Sequence, residues 1–297
     1  MHRRQPLLAN SFKSTEMSSL KLSHKPGPIG IFDSGYGGLT ILREIRQRLP
    51  QFDYMYLGDN ARAPYGNRSF EIVYEFTLQA VKYLFEQGCH LVILACNTAS
   101  AKALRTIQQH DLPVIAPDRR VLGVIRPTVE QLGTLSNNGN IGLFATQGTI
   151  TSESYNMEIA KLFPDFKLTG VACPMWVPLI ENNEADRPGA DYFVKQEIDR
   201  LLEKSPEVDT VILGCTHYPI LYKKIRYYLP DNIKIISQGQ IVAESLADYL
   251  KRHPEIESKC SQNGTSTFLT TEQPEKFAEM ATLFLGNEIK AHKITFD

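Results

Sequence analysis

The sequence VILACN at residues 92–97 recurs as VILGCT at residues 211–216. In each copy an apolar run typical of a buried strand leads directly into a cysteine and a polar residue. A second pair precedes them in the same order, IGIFD at residues 29–33 and IGLFA at residues 141–145. Buried strands often share valine, isoleucine and leucine, but this does not account for a cysteine at the same strand exit twice. The repetition therefore predicts two similar domains in one chain.

Strands and helices alternate along the sequence. Residues 28–32 are predicted as a buried strand, followed by a glycine-rich turn at 33–38 and a helix over 39–49. An apolar face over 72–84 indicates a second helix, and residues 91–95 a second strand. Such alternation is typical of parallel sheets covered by helices. The fold class is therefore predicted as α/β, with two pseudo-symmetric domains, each a mostly parallel sheet flanked by helices, and the active site in the cleft between them.

The chain is predicted to leave the first domain and return to it. Residues 1–25 are rich in polar and basic side chains and are expected to form a disordered extension. The first domain is expected to comprise residues 26–125 and 238–297, and the second domain residues 126–237. The last sixty or so residues are assigned to the first domain because they are too few for a third core of ordinary size.

The composition excludes several classes of function. The formal net charge of −1 gives no argument for binding to nucleic acid or to a membrane surface. No apolar run approaches the roughly 18 residues that span a bilayer. The five cysteines form no CxxC pair, so neither a disulfide framework nor a zinc ribbon is indicated. With no apolar signal-peptide core in the first 25 residues, the reducing cytoplasm is the expected location.

Two of the cysteines, Cys96 and Cys215, stand at predicted carboxyl ends of strands, where open parallel sheets bind their ligands. Each precedes a helix, whose N-terminus favours thiolate over thiol. Two facing thiols suit the inversion of a carbon centre, because one removes a proton from one face and the other delivers a proton to the opposite face. The alternative is that both are small buried residues. The matched pair favours chemistry.

Polar residues near the strand exits complete the candidate site. Asp33 lies in a turn where a ligand can approach the backbone closely, although a local Asx-turn is the alternative. His217 is placed to orient the thiol of Cys215 or to assist its deprotonation, or else to cap a helix. Hydroxyl and amide side chains suited to a carboxylate and an ammonium group, or alternatively to helix capping, are found at Asn97, Thr98, Thr149 and Thr216.

Competing motifs fail on inspection. The turn at residues 33–38 lacks the Gly-Lys-Ser/Thr ending of a phosphate loop, and it lacks the last glycine of a dinucleotide fingerprint. Cys215 and His217 have no second closely spaced pair to complete a metal site. The sequence therefore predicts neither a metal nor a nucleotide.

Taken together, these segments resemble the glutamate racemases of the cofactor-independent aspartate/glutamate racemase superfamily. The match runs in order over roughly residues 28–250. The segments that carry it are residues 31–38, 58–66, 95–100, 145–149, 173–181 and 214–219.

The resemblance implies conversion between L- and D-glutamate, with D-glutamate supplied to bacterial peptidoglycan, and no pyridoxal phosphate or other cofactor. It implies that Cys96 and Cys215 are the acid/base catalysts. It implies that Asp33, His217 and Glu181 assist catalysis and that Ser34, Tyr65 and Gly66 bind the side-chain carboxylate. Binding of the α-amino and α-carboxylate groups is implied for Asn97, Thr98, Thr149 and Thr216. Asp33 and His217 are also expected to contact the substrate. Family members are often homodimers.

The sequence departs from the family pattern at residues 115–120, which look like an insertion, and at Arg126, where the family commonly has an acidic residue. Three alternatives remain open: an aspartate racemase, a non-catalytic protein that binds an acidic amino acid, and a single-cysteine acyl-transfer enzyme. The segment Pro64-Tyr65-Gly66 favours glutamate because it matches the glutamate-type side-chain pocket, and two intact cysteines argue against the binding protein.

Overall fold

The computed structural model describes residues 22–296. Most of the predicted extension, residues 1–21, lies outside the described residues. Residues 22–25 are described and contact the first sheet's helical cover. Leu22 packs against its apolar cluster, and the buried Arg119 donates a hydrogen bond of 2.9 Å to the carbonyl oxygen of Ser23. Across residues 22–296, no helix is both long enough and apolar enough to cross a membrane.

The described strands form two separate parallel sheets. The first sheet has the order β10-β9-β2-β1-β3-β4 and the second β6-β5-β7-β8. The strands are β1 (Ile29–Asp33), β2 (Tyr54–Gly58), β3 (Leu91–Leu94), β4 (Arg120–Gly123), β5 (Asn140–Ala145), β6 (Lys167–Ala172), β7 (Thr210–Gly214), β8 (Lys234–Ile236), β9 (Ser266–Thr270) and β10 (Ala291–Lys293).

Helices cover both sheets. They are α1 (Leu39–Arg48), α2 (Phe70–Glu86), α3 (Asn97–Lys102), α4 (Leu104–Thr106), α5 (Leu112–Ile115), α6 (Ile125–Glu130), α7 (Leu132–Leu135), α8 (Gln147–Thr151), α9 (Ser154–Leu162), α10 (Trp176–Glu181), α11 (Pro188–Lys204), α12 (Tyr222–Tyr228), α13 (Gln238–Arg252), α14 (Pro254–Glu257) and α15 (Pro274–Leu285). The predicted α/β fold class with two parallel, helix-flanked sheets is confirmed.

The two sheets repeat one topology. In the first sheet β1 pairs with β2 on one side and β3 on the other, with β4 beyond β3. In the second, β5 pairs with β6 and β7, with β8 beyond β7. The repeated sequence segments occupy equivalent strands, since IGIFD forms β1 and IGLFA lies within β5. The pseudo-symmetry predicted from the repeats is therefore a property of the strand order.

The last part of the chain adds to the first sheet. Strand β9 pairs with β2, and β10 pairs with β9, so both lie at the edge away from β3. Helix α13 packs along α1, where Gly239 sits against Glu44 and the Thr40 carbonyl. The residue limits assigned to the two domains stay a prediction.

The two repeated segments carry equivalent glycines, Gly30 as the second residue of β1 and Gly142 as the third residue of β5. A Cβ placed on Gly30 would lie 3.1 Å from Val92 Cγ2 and 3.3 Å from Leu84 of α2. A Cβ on Gly142 would lie 3.1 Å from Val211 Cγ2 but only 2.7 Å from Leu201 of α11, which is fully buried. Both helices therefore pack closely on their sheets where the strand has no side chain, and more tightly in the second domain.

We expect Gly142→Ala to lower the free energy of unfolding by about 1–3 kcal/mol, because Leu201 must shift within a packed core. Gly30→Ala should cost less, since its contacts need to yield by only tenths of an ångström. Urea unfolding measures both. Gly189→Ala, on helix α11 with no atom within 4 Å of the new Cβ, is the control and should not destabilise the protein. Equal losses at Gly30 and Gly142 would contradict the difference in packing.

Candidate active site

Asp33 ends β1 and is completely buried. Its Oδ1 accepts a hydrogen bond of 2.9 Å from the backbone N–H of Gly35, which closes the turn after the strand. Burial raises the pKa of Asp33, and the nearby charge of His217 opposes part of that shift. A Cβ on Gly38 would lie 2.5 Å from the Cβ of Asp33, so the start of helix α1 approaches this carboxylate too closely for a side chain. Asp33 therefore forms the local Asx-turn and also lies at the candidate site, so the two interpretations are compatible.

Cys96 lies at the start of helix α3, just beyond β3. Its Sγ accepts from the backbone N–H of Ala99 at 3.5 Å and lies 3.3 Å from the hydroxyl oxygen of Ser34. Burial raises the pKa of Cys96 to about 12, and the charge of Asp33 adds to the rise, while the contacts to Ser34 and Ala99 oppose it. The sequence argument expected the helix N-terminus to lower this pKa. The N–H of Ala99 at the start of the helix does lower the pKa of Cys96, but burial and the Asp33 carboxylate outweigh it, so the net pKa is raised.

Cys215 lies directly after β7 and begins a chain of polar contacts on the other side of the site. Its Sγ is 3.9 Å from Nδ1 of His217, and Nε2 of His217 is 2.9 Å from Oε1 of Glu181. Although burial lowers the pKa of His217, the interactions with Cys215 and Glu181 outweigh it and raise the pKa to about 10. An imidazolium cation is therefore held between a thiol group and a carboxylate.

The exits of β1 and β7 touch. The hydroxyl of Thr216 donates to Oδ2 of Asp33 at 3.4 Å, and the hydroxyl of Thr40 donates to the carbonyl oxygen of Thr216 at 3.0 Å. A Cβ on Gly37 would overlap Oγ1 of Thr216 and the ring of His217. The glycine-rich turn of the first sheet is therefore pressed against the Thr-His segment that follows Cys215.

A second contact joins the exits of β3 and β5. The hydroxyl oxygen of Thr98 lies 2.9 Å from that of Thr146 and 3.4 Å from that of Thr149. Thr98 and Thr149 were predicted as site residues, whereas Thr146 was not. The sequence signal for Thr146 was its position at the end of a repeated strand, where it caps α8.

Asn97, a predicted substrate-binding residue, has its side chain engaged within the protein. Its Nδ2 donates to Oε1 of Gln238 at 2.6 Å, and its Oδ1 accepts from the hydroxyl of Tyr155 at 2.8 Å. Neither Gln238 nor Tyr155 was identified from the sequence, because both lie far from Asn97 along the chain and in no motif.

The loop that carries Tyr65 and Gly66 lies against the start of α8, and Tyr65 itself is buried. The phenol of Tyr65 donates to Oδ2 of Asp59, which also accepts from Nε of Arg62 at 2.7 Å. The carbonyl oxygen of Gly66 accepts from the backbone N–H of Gly148 at 2.6 Å. This backbone bond brings the loop that carries Tyr65 against the second domain. Asp59 and Arg62, which anchor that loop, were missed as site residues.

The structure thus places most of the predicted site residues beyond the carboxyl ends of β1, β3, β5 and β7, where the two sheets meet. Tyr65 and Gly66 lie instead in the loop after β2, and Glu181 ends α10. Within residues 22–296, no group of three or more His, Cys, Asp and Glu side chains is arranged to hold a metal ion. Two thiols stand at equivalent exits, one beside a hydroxyl and a buried carboxylate, the other beside an imidazolium. Fold and site define a two-domain α/β protein with two buried free thiols at matching strand exits between its domains.

Comparison with known proteins agrees with that class. A sequence model of the Asp/Glu/Hydantoin racemase family matches residues 39–246, and the chain belongs to this family. A relative named glutamate racemase from Roseobacter denitrificans is 42% identical over 272 residues, which cover 88% of this chain and 98% of the relative.

Solved structures agree with the sequence relatives. The glutamate racemase isoform RacE1 from Bacillus anthracis superposes with a TM-score of 0.83 at 34% identity, covering 92% of this chain and 98% of that one. The glutamate racemase from Francisella tularensis, solved in complex with D-glutamate, gives a TM-score of 0.82 at 31% identity with the same coverage. The architecture therefore belongs to that group of enzymes.

We expect the imidazole of His217 to remain protonated at pH 8, because its pKa is raised to about 10. The stability that this proton contributes is fully present below the unfolded-state pKa of roughly 6.5 and is lost as the pH rises through about 10. NMR titration of the ring measures the midpoint, and Glu181→Gln should lower it by removing the partner carboxylate. A wild-type midpoint near 6.5, or no change in Glu181→Gln, would contradict this electrostatic picture.

Proposed function

We propose that the protein interconverts L- and D-glutamate without a cofactor, with Cys96 and Cys215 as the two proton-transferring groups. The observation that carries the proposal is the placement of two thiols at equivalent strand exits of two pseudo-symmetric sheets. The two sheets are joined near these thiols by the hydrogen bond from Thr216 to Asp33. A pair of groups related in this way suits proton transfer on opposite faces of one carbon atom.

The two thiols have different surroundings, and this suggests how the reaction begins. Cys96, whose pKa is raised to about 12, enters as a protonated thiol. Cys215 instead faces the His217 imidazolium, with Nδ1 of the ring 3.9 Å from its sulfur. The Cys215 thiolate removes the α-proton of one enantiomer, and Cys96 delivers its thiol proton to the opposite face. The other enantiomer reacts by the reverse sequence, in which Cys96 receives the proton and Cys215 delivers one.

Hydrogen-bonding residues at the strand exits are assigned to the substrate. We assign the side-chain carboxylate to Ser34 and to the loop at Tyr65 and Gly66. The α-carboxylate and α-amino groups are assigned to the hydroxyls of Thr98, Thr149 and Thr216, with Asp33 and His217 in contact. Because its side chain is bonded to Gln238 and Tyr155, Asn97 is assigned its backbone N–H for this role. Fixed donors at the α-carboxylate stabilise the negative charge that develops on proton removal.

Glutamate is preferred over aspartate as the substrate. The relatives at about 40% identity are named glutamate racemase, and the Pro64-Tyr65-Gly66 segment matches that type. An aspartate racemase homologue from Pyrococcus horikoshii is 15% identical with a TM-score of 0.52, a likeness in fold alone. We further propose that D-glutamate is supplied to peptidoglycan synthesis in the cytoplasm, and that the enzyme is a homodimer.

The proposed function is tested by incubating the purified protein with L-glutamate in deuterated water and following optical rotation and α-deuterium together. We expect rotation to fall to zero as deuterium enters the α-carbon. Exchange with L-aspartate alone would establish the aspartate racemase instead. Binding of glutamate by calorimetry with no exchange on either amino acid would establish the non-catalytic binding protein.

We expect Cys96→Ala and Cys215→Ala each to lower kcat by about 10²–10⁴-fold, the usual contribution of a positioned acid or base. Cys260→Ala is the matched control, because Cys260 is a buried free thiol outside the site. Steady-state kinetics in both directions, with the melting temperature as a check on folding, measure the effect. Full activity in either active-site variant would rule out the two-thiol mechanism.

A further inference from the structure

A closed ring of hydrogen bonds includes Asn97, the residue that follows Cys96. Asn97 donates to Gln238, Gln238 donates to the hydroxyl of Tyr155 at 3.0 Å, and that hydroxyl donates to Asn97. The three side chains are between 1% and 3% exposed. Each amide oxygen of the ring accepts a bond and each amide nitrogen donates one. A buried polar network satisfied in this way is rigid and admits few alternative arrangements.

Gln238 also connects the two places where the chain crosses between the sheets. Its Nε2 donates to the hydroxyl of Thr128 at 2.9 Å and lies 3.3 Å from the Val124 carbonyl oxygen. Val124 and Thr128 lie at helix α6, on the crossing from β4 to β5. Gln238 itself begins α13, on the crossing from β8 back towards the first sheet.

The backbone of Gln238 is held independently of this ring. The next residue, Gly239, approaches the Thr40 carbonyl and the Glu44 side chain of α1 so closely that a Cβ would lie 2.6 Å from Glu44 Cγ. Helix α1 follows the turn that carries Asp33 and Ser34, and Ser34 contacts Cys96. Asn97, which follows Cys96, and Ser34, which contacts Cys96, are thus both tied to the pair of helices α1 and α13.

We propose that Gln238 is a positioning residue, which through Asn97 and Tyr155 fixes the start of helix α3, and with it the thiol of Cys96, relative to the second domain. This inference rests on the proposed function, since it assumes that Cys96 must face a carbon atom held partly by the second domain. Misplacement of a reacting group by about 1 Å can cost about 10²-fold in rate. A change in the ring should therefore lower kcat more than it weakens substrate binding.

The test uses Tyr155→Phe, which removes one hydroxyl and keeps the ring volume, and Gln238→Met, which keeps the chain length and removes the amide. Tyr54→Phe is the matched control. Tyr54 is 2% exposed, its hydroxyl donates to the Leu49 carbonyl at 2.6 Å, and it lies at the start of β2, away from the strand exits. Steady-state kinetics are combined with the rates at which iodoacetamide alkylates Cys96 and Cys215, read by peptide mass spectrometry.

We expect kcat to fall by about 10- to 100-fold in both ring variants, with KM changed less than about threefold. The alkylation rate of Cys96 should change more than that of Cys215, which lies near enough to Tyr155 to act on its hydroxyl, and Tyr54→Phe should leave all of these unchanged. Normal kcat in Tyr155→Phe and Gln238→Met would overturn the proposal. Equal changes in the alkylation rates of both thiols would overturn it in favour of a general loosening of the structure. If the wild-type protein exchanges no α-proton, the proposed function fails, and the alkylation rates alone decide whether the ring positions Cys96.

Discussion

A buried carboxylate at the end of β1 organises this molecule. Asp33 has no access to solvent, so its oxygens need partners, and these come from the turn N–H of Gly35 and from the hydroxyl of Thr216 on the other sheet. The second bond requires the two sheets to meet at their strand exits. The same carboxylate raises the pKa of Cys96, and its own pKa responds to the charge of His217. One residue therefore links a contact between the domains to the electrostatics of Cys96.

Two kinds of hydrogen bond stabilise the junction of the domains. The exits of β1 and β7, and of β3 and β5, are joined by short side chains and by one backbone bond, from Gly148 to Gly66. Behind them, the amide of Gln238 joins the two crossings of the chain. The hydrogen bonds at the strand exits lie next to the thiols, whereas Gln238, which makes the others, belongs to no sequence motif. Together they give the cleft a fixed geometry.

Local sequence was sufficient for the fold and for the candidates at strand ends. The repeats containing Cys96 and Cys215 predicted the equivalence of β3 and β7, because a buried parallel strand and its exit are encoded within six residues. Contacts between distant segments were not encoded in this way. The ring joins Asn97 to Tyr155 and Gln238, which lie 58 and 141 positions further along the chain. Asp59 and Arg62 act on Tyr65 through side-chain geometry alone. The pKa of Cys96 was misjudged for the same reason, since its burial depends on the whole fold.

The shared strand order has a consequence for the origin of the protein. Two halves with the order β2-β1-β3-β4 and β6-β5-β7-β8, each ending a strand in a cysteine, are what duplication and fusion of one ancestral gene would leave. Before fusion, two identical subunits related by a twofold axis would have formed the same cleft, with one thiol from each. In such a dimer both thiols had identical surroundings. In the present chain the two surroundings differ, since Cys96 has Ser34 as its neighbour and Cys215 has His217.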